Sequence, residues 1–277
     1  MSEAFLIMLR EGFEATLVVA IVFTYLRTMR RGDLFPSVWA GVASGVAVAT
    51  AVGLTVHWTI GELEGGARLV AFAMISLVAA GVLTWMIFWM RRQGASIKGE
   101  LEQRVDHAIS SGAGGRGVLL VAFTAVLREG IEAALFLIAA AVGTSSRDVF
   151  VGGVIGVVAA ALLGLLIYLG GRRVPMRAFF SVTGVLLILF AGGLCAKAVF
   201  YLQAAGDLGT ANNEFYDVTG ASWLTVSTES GRFLAGIFGW DPRPSLEQVA
   251  IWLAYVVPVM YLFLKDVAVR KERVPAR

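Results

Sequence analysis

Seven long apolar stretches alternate with shorter polar connections along the 277-residue chain. They cover residues 4–26, 37–60, 67–90, 117–141, 149–170, 178–202 and 247–265. A helix needs about 20 predominantly apolar residues to cross the hydrocarbon core of a bilayer. The pattern therefore predicts an all-α membrane protein with seven transmembrane helices and the lipid bilayer as its surroundings.

Two of the connections are long. In residues 91–116, apolar positions recur at helical spacing among charges, which predicts an amphipathic connector helix. Those positions are Ile97, Leu101, Val105 and Ala108. Residues 203–246 form a large segment at the opposite face, and its Phe233–Trp240 portion is apolar enough to lie in or dip into the membrane interface.

The composition excludes several classes of protein. The chain is 58% hydrophobic and only 16% charged, whereas a soluble domain carries about 25% charged residues. We therefore expect neither a water-soluble enzyme nor a nucleic-acid-binding protein. The single cysteine and two histidines exclude an internal disulfide, a cysteine-based cluster and a histidine-rich metal site.

The positive charges predict an orientation. Sixteen of the 23 Lys and Arg residues fall on one set of alternate connections, and four fall on the other. The positive-inside rule assigns the rich side to the cytoplasm. We expect a multi-pass protein of the cytoplasmic (inner) membrane, with its N-terminus outside and its C-terminus inside. The remaining three cations, Arg10, Arg128 and Lys197, lie within predicted spans.

The chain also repeats itself. Residues 4–17 (AFLIMLREGFEATL) align with residues 122–135 (AFTAVLREGIEAAL), and glycines of the following spans align after a seven-residue gap. Three spans per repeat require the second copy to enter the membrane from the opposite side. This predicts a single permease domain with a 3+3 inverted repeat plus one C-terminal helix, an architecture typical of transporters with a midplane site. Its parts are residues 1–90 (first repeat), 91–116 (connector), 117–202 (second repeat), 203–246 (external loop) and 247–277 (seventh helix and tail).

The repeated segment carries an unusual set of charges. Arg10–Glu14 and Arg128–Glu132 each place one Arg and two Glu inside a span. Each buried charge costs about 2.5–3.5 kcal/mol on an insertion scale, which points to function. The acids Glu11 and Glu14, and likewise Glu129 and Glu132, are three residues apart and share one helix face.

Three interpretations of these charges remain open. If the two helices face each other, four carboxylates converge on a cation, while Arg10, Arg128 and Lys197 act as counter-charges or position the acids. Lys197 could instead lie near the external end of its span, with its ammonium group reaching the interface. Alternatively, the charges form only an ion-pair network between the halves, or the arginines bind an anion. Oxygen ligands favour hard ions such as Fe³⁺, Ca²⁺, Mg²⁺ or Mn²⁺ over copper or zinc, without choosing among them.

These motifs resemble those of the oxidase-dependent iron permeases, which include fungal high-affinity iron permeases and bacterial EfeU-type proteins. The resemblance rests on the two R-E-G-x-E motifs, on residues 83–91 (LTWMIFWMR) and on residues 239–245 (GWDPRPS). It implies a seven-spanning permease, not an enzyme, that transports iron (Fe³⁺ or Fe²⁺) along the motif glutamates without a permanently bound cofactor. It also implies external partners: a multicopper oxidase in fungi, and EfeO- and EfeB-type iron-delivering proteins in bacteria.

Family members also carry external acids that collect the metal. The candidates here are Glu62, Glu64, Glu214 and Asp217, while Gly220 stands where fungal relatives have an acid before Ala-Ser. Because lead-uptake proteins share the core motif, a carrier of lead, manganese or calcium is the main alternative. A membrane di-iron carboxylate enzyme is a further one, although such centres usually add Glu-x-x-His pairs and neither motif-bearing span contains histidine.

Overall fold

The computed structural model describes residues 1–93, 97–141, 145–170, 176–211, 214–226 and 228–272. Over these residues the chain forms nine α-helices, two short 3₁₀ turns (Gly32–Leu34 and Ser222–Leu224) and no strand. The helices are α1 (Ser2–Thr28), α2 (Phe35–Gly61), α3 (Gly65–Gln93), α4 (Ile97–Ser110), α5 (Gly114–Ala141), α6 (Ser146–Gly170), α7 (Met176–Ala205), α8 (Glu229–Phe238) and α9 (Leu246–Glu272).

Each predicted span lies inside one of the seven long helices found among the described residues. Five stretches there are long and apolar enough to cross a membrane: Gly32–Gly61, Gly65–Met90, Arg147–Leu166, Ser181–Ala205 and Leu246–Lys265. The other two long helices, α1 and α5, are of similar length but carry the Arg and Glu residues of the motifs. The protein is therefore an all-helical integral membrane protein.

The helices form two compact units. The first comprises Met1–Glu62 and Arg92–Met176, and the second comprises Leu63–Arg91 and Arg177–Arg277. Both units contain helices from each of the two aligned halves of the sequence: α1, α2, α5 and α6 in the first, and α3 with α7 in the second. The motif-bearing helices thus belong to one unit.

Within the first unit, α1 packs along α6, and α2 packs along α5. Glycines allow the backbones to approach closely. A Cβ atom on Gly45 would lie 3.1 Å from the carbonyl oxygen of Phe123, and one on Gly156 would lie 2.6 Å from that of Phe5. Gly45 aligns with Gly156, and Phe5 with Phe123, in the sequence repeat. The two helix pairs therefore make equivalent contacts.

The connector helix α4 belongs to the first unit and packs against α1 and α5. Three of its four predicted apolar positions, Leu101, Val105 and Ala108, are buried, whereas Gln103 and Arg104 on its other face are exposed. The side chain of Ile97, the fourth position, lies outside the part of the chain that the structure describes. The predicted amphipathic helix is present, and its apolar face is covered by protein.

In the second unit, a hydrogen bond of 2.5 Å between Thr84 and Tyr255 links α3 to α9. The large segment before α9 folds back along α7. The indole N–H of Trp252 donates to the Phe238 carbonyl (2.8 Å), and Gly239 lies directly against Gly193. Gly193 precedes the end of α7 by twelve residues, or about 18 Å of helix. The C-terminal end of α8 therefore contacts α7 well inside that helix and not at its end.

Candidate metal centre

The two motifs meet inside the first unit because α1 carries one, α5 carries the other, and these two helices pack against each other. One carboxylate oxygen from each of Glu11, Glu14 and Glu129 lies within 4.8 Å of the others. The residues come from two helices, with Glu11 and Glu14 separated by less than one helical turn. Such a set of oxygens matches the ligands that hard cations prefer.

The arginine of the first motif is enclosed with its acids. Arg10 is 3% exposed, and Glu11 is 2% exposed. The Nη1 of Arg10 donates to Glu11 Oε1 at 3.1 Å, and the Nε of Arg10 lies 3.3 Å from Glu14 Oε1. One guanidinium group therefore balances charge on both carboxylates of its own helix.

The arginine of the second motif is arranged differently. Arg128 Nε donates to Glu132 Oε1 at 2.9 Å, but it lies 4.0 Å from Glu129 Oε1. Its side chain is 37% exposed. Glu132 is therefore held mainly by Arg128, while Glu129 turns toward the acids of α1 and completes the three-carboxylate group.

Several carboxylate oxygens in this cluster have no hydrogen-bond partner among the described residues. They are Glu11 Oε2, Glu129 Oε2 and Glu132 Oε2, all fully shielded from solvent. A fourth, Glu14 Oε1, is charge-paired with Arg10 but lacks hydrogen-bond geometry. Burial of ionised oxygens without compensation is costly, and a bound cation would supply that compensation.

Small residues bring two further helices against the motifs. A Cβ atom on Gly12 would lie 3.0 Å from the Cβ of Ala160 on α6, and one on Gly130 would lie 2.5 Å from the Cβ of Ala49 on α2. Ala49 and Ala160 belong to no motif in the sequence. The feature that could have identified them is their equivalent position in the repeat, since both follow the register in which glycines of α2 and α6 align.

Lys197, the third predicted counter-charge, lies on α7 in the second unit and is half-buried. The four glutamates lie in the first unit. Its role toward the carboxylates therefore stays a prediction.

Two of the predicted capture residues, Glu62 and Glu64, are exposed in the turn between α2 and α3. Glu214 is also exposed and lies 3.6 Å from Arg243. Among the described residues, none of these acids belongs to a group of three or more converging carboxylates, and their predicted role in metal capture also stays a prediction.

Asp217, the remaining capture candidate, is exposed and accepts hydrogen bonds from the Oγ1 and backbone N–H of Thr219, at 2.6 and 2.8 Å. These hydrogen bonds lower the pKa of Asp217 below its ordinary value. They organise the turn locally, while the carboxylate remains open to solvent.

Comparison with known proteins identifies relatives of the whole chain. The iron permease FTR1 family matches residues 1–276. The ferrous iron permease EfeU of Yersinia pestis is 36% identical over 262 residues, covering 94% of this chain and 92% of that protein. The ferrous iron permease EfeU of Escherichia coli O6:K15:H31 (strain 536 / UPEC) is 35% identical over 267 residues, covering 94% of each chain. No solved structure matches.

Proposed function

Because the chain belongs to the iron permease FTR1 family, we propose that it is a permease that carries iron across the cytoplasmic membrane. The observation that carries the proposal is the buried group of Glu11, Glu14 and Glu129, whose oxygens converge. Its relatives are named ferrous iron permeases, so the proposed substrate is Fe²⁺. Like those relatives, this protein is a transporter and not an enzyme.

The proposed site binds iron through carboxylate oxygens. Glu11, Glu14 and Glu129 provide the first ligands because they already converge. Glu132 is held by Arg128 at 2.9 Å and joins the metal only when that ion pair loosens. An ion could then pass from one set of ligands to the next without leaving the carboxylates.

The charge of the cluster also suits a dication. Four ionised glutamates against Arg10 and Arg128 leave two negative charges, which one Fe²⁺ neutralises. The arginines limit repulsion between the acids when iron is absent.

We propose that the seven long helices cross the membrane as a 3+3 inverted repeat plus α9. The equivalent contacts of Gly45 with Phe123 and of Gly156 with Phe5 support this arrangement. Gly12 lies ten residues after the start of α1, or about 15 Å along the helix. That is half of a hydrocarbon core about 30 Å thick, as expected for a midplane site.

External partners complete the proposed pathway. EfeO- and EfeB-type proteins, or a multicopper oxidase, would deliver iron at the face that carries residues 203–246. Glu62, Glu64, Glu214 and Asp217 are the proposed acids for its capture there. Under the charge rule this face is outside the cell, and α4 and the C-terminus lie in the cytoplasm.

The test is transport by the purified protein in vesicles that contain a fluorescent iron chelator. With Fe²⁺ kept reduced by ascorbate, Glu129→Gln and Glu11→Gln should each lower the initial influx at least tenfold while leaving the amount of folded protein unchanged. Asp33→Asn removes the same charge from an exposed acid (61% side-chain exposure) and should leave influx within twofold.

Other outcomes separate the alternatives. Equal or faster influx of Mn²⁺, Ca²⁺ or Pb²⁺ than of Fe²⁺ would identify a carrier of another cation on this scaffold. Loss of folded protein in both Gln variants would instead favour a purely structural ion-pair network.

A further inference from the structure

An apolar cluster closes one end of the first unit, where α1 ends and α5 begins. Its buried members come from α1, α2, α4, α5 and the turn before α2, and we call them the apolar seal. They are Val22, Leu26, Leu34, Val38, Leu101, Val105, Val118 and Ala122. Their exposed fractions are all below one tenth, so the seal is a packed region of the protein.

On α1, the seal lies on the same helix face as the carboxylates. Val18, Val22 and Leu26 follow Glu14 at steps of four residues, which keeps them on one stripe of the helix. Val22 lies about 12 Å beyond Glu14 along the axis. The face that carries the proposed ligand therefore continues directly into the seal.

The same relationship holds on α5. Val118, Ala122 and Val126 precede Glu129 at steps of four, four and three residues, and all three are buried. Ala122 lies about 10 Å from Glu129 along the axis. An ion leaving the carboxylates toward this end would move along two apolar stripes and into the seal.

The connector helix completes the seal. Val105 of α4 is fully buried and Leu101 is 7% exposed, both within the cluster. Gly117 of α5 admits the helix, because a Cβ atom there would lie 2.8 Å from the Cβ of Ala108. Tyr25 of α1 also faces Asp106 of α4 across this contact.

The seal opposes the passage of an ion. A hydrated dication would have to give up its water among apolar side chains, and an uncompensated charge in such surroundings is very unfavourable. Transport toward this end therefore requires the seal to open. The helix best suited to move is α4, because its outer face is polar and Gly112 and Gly114, both with positive φ, separate it from α5.

From these relationships we propose that α4 is a gate that closes the pathway between the glutamate cluster and the cytoplasm. The proposal rests on the proposed iron permease function. Residues 91–116 lie between the two aligned halves and occur once, so this element makes the two ends of an otherwise repeated pathway different. Iron would bind at the carboxylates with α4 docked and leave when α4 lifts Leu101 and Val105 out of the seal.

A reversible tether tests the gate. In a Cys195→Ala background, Tyr25→Cys combined with Asp106→Cys places one thiol on α1 and one on α4. A short bis-methanethiosulfonate reagent should then lower Fe²⁺ influx into vesicles at least tenfold. A thiol reductant should restore influx, since it cleaves the tether. Binding of Fe²⁺ to the tethered protein, measured by calorimetry, should stay within twofold of the untethered value.

The matched control places both thiols on α4. Gln103→Cys with His107→Cys lies on the exposed face of that helix, one turn apart. The same reagent then bridges α4 to itself, and influx should remain unchanged. The two single-cysteine variants, Tyr25→Cys and Asp106→Cys, treated with the reagent should likewise keep their influx.

A second variant probes the seal without a cross-link. Val105→Ser introduces a hydroxyl into the apolar seal and should raise the influx of Fe²⁺ at least twofold by easing opening. Gln103→Ser on the exposed face should not. Both proteins are first checked for a monodisperse elution profile.

The results distinguish failure of the proposed α4 gate from failure of the permease function on which it rests. Unchanged influx through the tethered α1–α4 pair, in a protein that transports iron before tethering, would overturn the gate and leave the permease standing. Influx that Val105→Ser fails to raise in a folded protein would also contradict the gate. Absence of iron transport by the unmodified protein would overturn the permease, and the gate with it.

Discussion

Gly130 packs against Ala49 so closely that a Cβ atom on the glycine would lie 2.5 Å from the alanine Cβ. The glycine stands between Glu129 and Glu132, so α2 reaches the surface of α5 at the acids themselves. In the other motif the contact is less close, since a Cβ atom on Gly12 would lie 3.0 Å from the Cβ of Ala160. The glycine in each R-E-G-x-E motif thus allows an apolar helix to wall the carboxylates off from lipid and water.

Gly130→Ala should therefore damage the protein more than an ordinary helix substitution. Extra volume in a packed interior costs about 1–3 kcal/mol, although alanine has the higher intrinsic helix propensity. We expect a lower melting temperature in detergent and a several-fold loss of Fe²⁺ influx. Gly81→Ala is the control, because nothing lies within 4 Å of a Cβ atom at that position.

A second substitution, at Ala49, should relieve the steric clash that Gly130→Ala introduces. Combining Gly130→Ala with Ala49→Gly takes away the atom that the new Cβ meets, so melting temperature and influx should recover most of the lost value. Ala49→Gly alone is expected to cost about 1 kcal/mol through helix propensity. If the double variant is no better than Gly130→Ala, packing against Ala49 does not explain the need for glycine.

The two arginines should differ in their importance for folding. The Arg10 side chain is 4% exposed and pairs with two acids, whereas that of Arg128 is 37% exposed. Breaking a buried ion pair by removing one partner costs about 3–5 kcal/mol, and solvent screening reduces this for the exposed arginine. We expect Arg10→Gln to lower the yield of folded protein, judged by size-exclusion chromatography of membrane extracts, much more than Arg128→Gln.

A second change distinguishes charge from shape at Arg10. Adding Glu14→Gln to Arg10→Gln removes one of the carboxylates left uncompensated, so folded protein should partly return even though iron influx stays lost. Equal yields for the two arginine variants would contradict the different burial of the two motifs.

Much of this arrangement follows from sequence. The approach of Arg10 to Glu14, and of Arg128 to Glu132, is local helix geometry at a spacing of four residues. The long helices are also predictable, because the length of an apolar stretch fixes whether it can span a bilayer. Both features depend on residues close together in the chain.

The remaining features depend on packing between distant segments. The two motifs are chemically alike, so nothing in them indicates that Glu129 joins the acids of α1 while Glu132 stays with Arg128. The pattern of α4 shows an apolar face at Leu101 and Val105, but a pattern does not name the helices that cover it. Side-chain orientation and helix neighbours are set by the whole unit.

The conformation and packing of Gly239, in the second unit, lead to a further prediction. It adopts a left-handed conformation (φ 65°) and lies against the backbone of Gly193. A Cβ atom in that conformation costs about 1–2 kcal/mol, and here it would also collide with α7. Gly239→Ala should loosen α8 and speed cleavage of residues 203–246 by an added protease several-fold. Gly220→Ala, with open space around it, should leave the cleavage rate unchanged.

The orientation of the chain can be tested with single cysteines in the Cys195→Ala background. Thr210 in the large segment after α7 and Gln103 on α4 are both exposed. Of the 23 Lys and Arg residues, 16 fall on the connections predicted to share a side with α4 and four on the alternate set, so the α4 side is expected to face the cytoplasm. An impermeant maleimide added to intact spheroplasts should therefore label Thr210→Cys at once and Gln103→Cys only after permeabilisation. Cys195→Ala alone controls for background. The reverse pattern would show that the chain has the opposite orientation. If α5, α6 and α7 each cross the membrane, the two sites lie on opposite sides. Labelling of both sites in intact spheroplasts would therefore mean that an even number of crossings separates them.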